Sequence, residues 1–140
     1  MWGRSGFTLV ETLVVLVLAL VVSATAHAGF TTIAAAMQVS ASARTLAQTL
    51  RATRSRAIAE GIALDAFFDD ATQTWGIRAP DGTVRTTSTL PSPVRFASLP
   101  VRRRVRFGST GAAENGTITV SATGRAKSVV VNQRGRVRLQ

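Results

Sequence analysis

Gly6-Phe7-Thr8-Leu9-Val10-Glu11 opens a run in which Thr12 to Ala43 carries no Asp, Glu, Lys or Arg, and Leu13 to Val22 is unbroken Leu, Val and Ala. A bilayer core is crossed by about 20 mostly apolar residues in helical form, and residues 7–29 supply that length. Glu11 is the anomaly, a carboxylate inside the first turns of an apolar helix. At the centre of a span an Asp, Lys or Arg costs roughly 2.5–3.5 kcal/mol, and ionisable groups kept there are usually functional. Near the end of a span the cost is smaller, but the group still calls for a partner. Arg4 is the only charge ahead of the run. The positive-inside bias therefore holds the N-terminus in the cytoplasm and sends the rest across.

A short basic leader ending in Gly, then Phe-Thr-Leu-Val-Glu, then a hydrophobic helix, resembles the processing signal of type IV pilins and pseudopilins. The resemblance implies a leader of residues 1–6, cleavage by a prepilin peptidase between Gly6 and Phe7, and methylation of the new Phe7 amine. Glu11 then becomes the fifth residue of the mature chain, where in this family it neutralises the terminal amine of a neighbouring filament subunit. An ammonium and a carboxylate that are each costly in apolar surroundings become tolerable when paired. A secretory signal peptide is the competing reading, with Arg4 as its basic region, Leu9 to Val22 as its apolar region and Ala26-His27-Ala28 as its cleavage site. A carboxylate inside the apolar region argues against it. A plain anchor with an incidental Glu11 leaves the hexapeptide unexplained.

With about 30 residues in the span, roughly 110 of the 140 remain, enough for one small domain and no second. Cysteine is absent, so a chain bound for an oxidising compartment has no disulfide staple. Its stability must rest on a hydrophobic core. One histidine, His27 at the end of the apolar run, and no cysteine exclude a zinc site on ligand count. His27 reads as an interfacial residue. The formal net charge is +10 and lopsided: from Val94 to Gln140, nine Arg and one Lys stand against Glu114 alone. Nearly all basic residues are Arg, whose planar fork suits phosphate or carboxylate. A G+C-rich codon bias also favours Arg, so its concentration at one end says more than its identity.

Past Gly29, itself a place for a kink or soft point, polar and small residues begin but the helical period persists. Val39, Ala43, Leu46, Leu50 and Ala57 fall within about 60° of one another at 100° per residue, with Arg44, Arg51 and Arg56 off that stripe. Residues 30–61 are predicted as the amphipathic half of one long helix, ending near Gly61, a fitting C-terminal cap. Short strands follow at Ile62 to Phe68, Thr74 to Ala79, Val84 to Thr87 and Val94 to Ala97. Others follow at Arg103 to Phe107, Thr117 to Ala122, Ser128 to Asn132 and Arg136 to Leu139. Pro80-Asp81-Gly82-Thr83, Asn115-Gly116, Thr123-Gly124 and Arg134-Gly135 supply turns. Around Val105 and Val137, Arg alternates with apolar residues, which predicts one core face and one row of guanidinium groups. The class is α+β: a long N-terminal helix, transmembrane in its first half, packed on a C-terminal antiparallel β-domain of residues 62–140.

Arg54-Ser55-Arg56-Ala57-Ile58, Val105-Arg106-Phe107-Gly108 and Gly116-Thr117-Ile118-Thr119-Val120 resemble the GspH/FimT group of minor pseudopilins. So does the ending Val129-Val130-Val131-Asn132-Gln133-Arg134-Gly135-Arg136-Val137-Arg138-Leu139. The resemblance implies a pilin-like fold and a minor subunit of a type II secretion pseudopilus or a type IV pilus. It would be a single-pass protein of the inner membrane with its β-domain in the periplasm. Implied partners are other major and minor pseudopilins, the prepilin peptidase, an inner-membrane assembly platform and a cytoplasmic assembly ATPase.

An enzyme is hard to build from these residues: a nucleophilic triad lacks its base, and there is no Cys and no phosphate loop with Lys. No cofactor is expected. Asp65, Asp69, Asp70 and Asp81 are either a carboxylate cluster for a hard cation such as Ca²⁺ or solvated turn residues, the second being the simpler reading. A different class of function is nucleic-acid capture. Gly135-Arg136-Val137-Arg138 resembles the G-R-x-R tail associated with DNA uptake in FimT-type pilins. Arg134 precedes it, and Arg102, Arg103, Arg104 and Arg106 extend the basic patch. Arginine on phosphate gives sequence-independent, salt-sensitive binding. Phe96 and Phe107 look like core residues and not base-stacking platforms. Against this stands the plainer reading of the arginines as solvent faces of strands or as partners of acidic neighbouring subunits.

Overall fold

A computed structural model describes residues 8–140, apart from the side chains of 25–29. The expected leader, residues 1–6, and Phe7 lie outside the described residues, as does the side chain of His27. The chain divides into two compact units, residues 1–34 and Ala35–Gln140.

Helix α1 (Leu9–Glu60) starts where Thr8 can cap it. The Thr8 hydroxyl accepts the Glu11 N–H at 3.3 Å, and the Thr8 carbonyl accepts the Thr12 N–H at 3.2 Å. Thr8-x-x-Glu11 is the spacing of a capping box, and a carboxylate in the first turn suits the positive end of the helix dipole. The helix stops at Gly61, whose φ of 66° is the left-handed conformation that ends helices without a Cβ penalty. In the first unit the described apolar side chains, from Leu9 through Val22 and again at Phe30 and Ile33, are all exposed. Among the described residues no helix is long and apolar enough to cross a membrane. The expected span, 7–29, extends past them at Phe7 and through the side chains of 25–29.

The second unit holds the core. Val39, Ala43, Leu46, Leu50 and Ala57, the stripe read from the helical period, are all buried. They join one apolar cluster with the inner faces of two four-stranded antiparallel sheets. The first sheet contains β1 (Leu64–Asp69), β2 (Thr74–Arg78), β3 (Val84–Thr89) and β5 (Arg104–Phe107), ordered β3-β2-β1-β5. The second contains β4 (Arg95–Ser98), β6 (Gly116–Ala122), β7 (Arg125–Val131) and β8 (Val137–Leu139), ordered β4-β6-β7-β8. Leu64, Ala66, Phe68, Val105 and Phe107 enter the cluster from the first sheet; Ile118, Val120, Val129, Val131 and Val137 enter it from the second. Each large apolar side chain removed from water contributes about 1.5–3 kcal/mol. Phe107 is wholly buried, and the half-buried Phe96 meets Phe68 edge to face at 6.0 Å between ring centroids.

Turn chemistry places the strands. In Pro80-Asp81-Gly82-Thr83 the Asp81 carboxylate accepts the Thr83 N–H at 2.9 Å, an Asx-turn that returns β2 into β3. Ala122 pairs with Arg125, leaving Thr123-Gly124 as a two-residue hairpin. Two expectations are corrected. Gly116 is not a turn residue but the first residue of β6, opposite Val131; the Val105 and Pro100 side chains crowd the space a Cβ would need. Asp65 is not a solvated turn residue. It lies within β1, directly opposite Arg106 of β5, and is buried.

Candidate functional site

Two regions carry unbalanced chemistry. The first is the start of α1, where Glu11 is exposed and enters none of the ion pairs among the described residues. Its neighbours along the helix, Leu9, Val10, Leu13, Val14 and Val15, are exposed as well. Sequence reading gave Glu11 an intermolecular role and missed Thr8, although the Thr-x-x-Glu spacing is visible in the sequence.

The second region is the arginine set, which the structure divides. Arg106 donates from Nε to Asp65 Oδ1 at 2.7 Å and from Nη2 to Asp65 Oδ2 at 3.0 Å, and Arg104 reaches the same Oδ2 at 3.0 Å. The hydrogen bond and charge of Asp65 push the Arg106 pKa further up, so the guanidinium stays charged. Arg103 pairs with Asp70 at 2.9 Å, and Arg102 with Glu114 at 3.4 Å. The row of free guanidinium groups expected on β5 is therefore closed by Asp65. Each of Arg102, Arg103, Arg104 and Arg106 already has a carboxylate.

Arg134, Arg136 and Arg138 differ. All three are exposed, and none enters an ion pair among the described residues. A turn sets them: Asn132 Oδ1 accepts the N–H groups of Arg134 and Arg136 at 3.1 and 2.9 Å, and the Asn132 carbonyl accepts the Gly135 N–H at 2.8 Å. β8 then pairs with β7, placing Arg138 opposite Val130 on the face turned from the core. Two helix arginines approach this tail. Arg51 donates to the Val137 carbonyl at 3.2 Å and Arg54 to the Gly111 carbonyl at 3.0 Å. Sequence reading noted both in passing and gave neither a role. They stand more than 80 and 50 residues along the chain from those partners, so no local signal joins them.

The other carboxylates have local duties. Asp69 accepts the Ala71 N–H at 2.9 Å and the Thr72 hydroxyl at 2.7 Å. The Thr72 hydroxyl and the Ala71 N–H hold its pKa below the ordinary value. The backbone N–H of Thr83 does the same for Asp81. No group of three or more His, Cys, Asp or Glu able to hold a metal ion occurs among the described residues.

The family model described as Type II transport protein GspH matches residues 42–135, and that described as the prokaryotic N-terminal methylation motif matches residues 3–26. The first match ends at Gly135, before Arg136 and Arg138. Among solved structures, the minor pseudopilin EpsH from the type 2 secretion system of Vibrio cholerae superposes with a TM-score of 0.62 at 18% identity. That match covers 74% of this chain and 96% of that one. The type IV minor pilin FimU of Pseudomonas aeruginosa superposes with a TM-score of 0.60 at 15% identity, covering 73% of this chain and 87% of the other. At these identities the likeness is one of fold. No curated protein matches the chain. With the match spanning more than half of the sequence, and a pilin-like fold of one N-terminal helix on antiparallel sheets, this chain belongs to the GspH family of type II transport proteins.

Proposed function

We propose that this chain is a minor subunit of a type II secretion pseudopilus or a type IV pilus, and that its work is structural. A prepilin peptidase removes residues 1–6, the Phe7 amine is methylated, and the helix waits in the inner membrane with its N-terminus cytoplasmic and residues 62–140 periplasmic. Extraction by the assembly platform then stacks α1 against the helices of other pseudopilins. The observation that carries this reading is the exposed apolar surface from Leu9 to Val22 with an exposed Glu11 at its head that enters no ion pair among the described residues. Such a surface is stable only in lipid or against similar helices, and the carboxylate supplies the register by meeting a neighbour's terminal amine. Mass spectrometry of the membrane-extracted protein should find a methylated Phe7 as the first residue. A chain beginning at Gly29 would make the segment a discarded signal peptide and remove the proposal. Glu11→Val should still insert and be processed, yet fail to co-purify with sheared filaments.

A second reading is favoured by one observation, the three tail arginines left without a carboxylate partner among the described residues. Arg134, Arg136 and Arg138 would hold DNA phosphates irrespective of sequence, as in the FimT-type pilins that the Gly-Arg-x-Arg ending resembles. Arg102, Arg103, Arg104 and Arg106, each already paired, would add only long-range charge. Replacing Arg136 and Arg138 by Gln should abolish DNA binding with the fold intact, and unchanged affinity removes this reading.

A further inference from the structure

We infer that the tail arginines form one wall of a basic groove whose other wall is helix α1, and that this groove takes the phosphodiester backbone of a nucleic acid. The inference rests on the DNA reading above and adds Arg51 and Arg54 to it. Arg51, Arg54, Ser55 and Ile58 of α1 line a hollow of about 450 Å³ together with the segment Gly135 to Arg138. One bond ties the walls, Arg51 Nη2 to the Val137 carbonyl at 3.2 Å; Arg54 Nε donates instead to the Gly111 carbonyl at 3.0 Å, in the loop between β5 and β6. A guanidinium carries five N–H donors, so one backbone bond each fixes these groups and leaves most of their donors for a ligand.

Gly135 is what lets the walls meet. Its φ is 70°, and a Cβ there would overlap the Gly111 carbonyl oxygen and lie 2.7 Å from Arg54 Nε. Glycine ahead of the two tail arginines is thus demanded by the helix beside it, independent of any ligand. None of Arg51, Arg54, Arg136 and Arg138 enters an ion pair among the described residues, whereas each arginine of the β5 region touches a carboxylate, Arg104 and Arg106 sharing Asp65. One carboxylate from a protein partner would satisfy one fork. Four guanidinium groups gathered along one groove with no internal acid fit a polymer of repeating charge, and arginine meets phosphate oxygens two at a time. The groove lining holds no aromatic side chain, so recognition is of backbone and not of base.

The test is fluorescence anisotropy of a labelled random-sequence duplex with the full chain in detergent micelles, across a range of salt. Arg51→Gln should weaken binding about fivefold or more and flatten the log–log salt slope by about 0.9, the share of one neutralised phosphate. Ser55→Glu, at an exposed helix position, should weaken binding comparably without disturbing the core. Arg85→Gln, whose partner is Glu60, removes the same charge elsewhere and should leave affinity near wild type. Poly-glutamate at equal charge should not displace the duplex. If the Arg136 and Arg138 variants lose binding while Arg51→Gln and Ser55→Glu keep wild-type affinity and slope, the helix wall is refuted and the DNA reading survives. If the unaltered chain binds no duplex, both fall. Displacement by poly-glutamate overturns the phosphodiester assignment in favour of an acidic protein partner.

Discussion

Asp65 shows how a single residue decides which charges are available. It sits opposite Arg106 on one side and Arg78 on the other, on the sheet face turned from the core, and Arg78 itself stacks over Phe67 at 4.7 Å. Removing its charge would leave Arg104 and Arg106 facing each other without an acid. Breaking a fully buried pair costs about 3–5 kcal/mol, but these guanidinium groups are partly exposed. We expect Asp65→Asn to cost about 2 kcal/mol, read by chemical denaturation; a loss under half that value would make the pair ornamental. Asp69 and Asp81 set a pH dependence. Their folded pKa values lie below the ordinary 3.8, so the stability they lend is present above that pH and is lost as pH falls through the lower folded values. The unfolding midpoint should therefore hold from pH 7 to 5 and fall below about pH 4, the carboxylate range. Asp69→Asn should flatten that fall. The role of Asp65 was not legible because its partner strand lies about forty residues away, whereas the Asp81 turn could be read from four adjacent letters.

At the scale of elements, what could be read was what is periodic or local. The stripe from Val39 to Ala57 repeats at the helical period, and it is buried in the order read. Gly61 ended the helix as a cap should, and the Thr123-Gly124 turn gave its hairpin directly. The alternation Val105-Arg106-Phe107 correctly gave the inward face, but it could not say that Asp65 lies across from the outward one. The tail is the clearest case. Its Gly-Arg-Val-Arg letters were legible as a motif, but the reason for Gly135 depends on Arg54 of α1 and Gly111 of a distant loop. Gly135→Ala combines a positive φ with that overlap, and such substitutions destabilise by more than about 1 kcal/mol. Denaturation of the variant in detergent should show that loss, and hydrogen exchange should show it concentrated in β8. Uniform protection with wild-type stability would mean that the tail does not depend on the helix beside it.

For the molecule as a whole, the core and the exposed apolar surface occupy different stretches of chain. Every residue of the apolar cluster lies between Val39 and Val137, within the unit Ala35–Gln140, while the exposed apolar side chains crowd the stretch before it. Stability and association should therefore be separable by cutting the chain between the units. A fragment of residues 35–140 keeps both sheets, the helix stripe and the Asp65 network, so it should be soluble without detergent and unfold in one cooperative transition. It should sediment as a monomer at concentrations where the full chain needs lipid or micelles. Adding back residues 8–34 should restore detergent dependence with little change in the denaturation midpoint of the sheets. If instead the fragment is molten or aggregates, the stretch before Ala35 contributes to folding as well as to assembly. The exposed surface from Leu9 to Val22 could then no longer be assigned to filament packing alone.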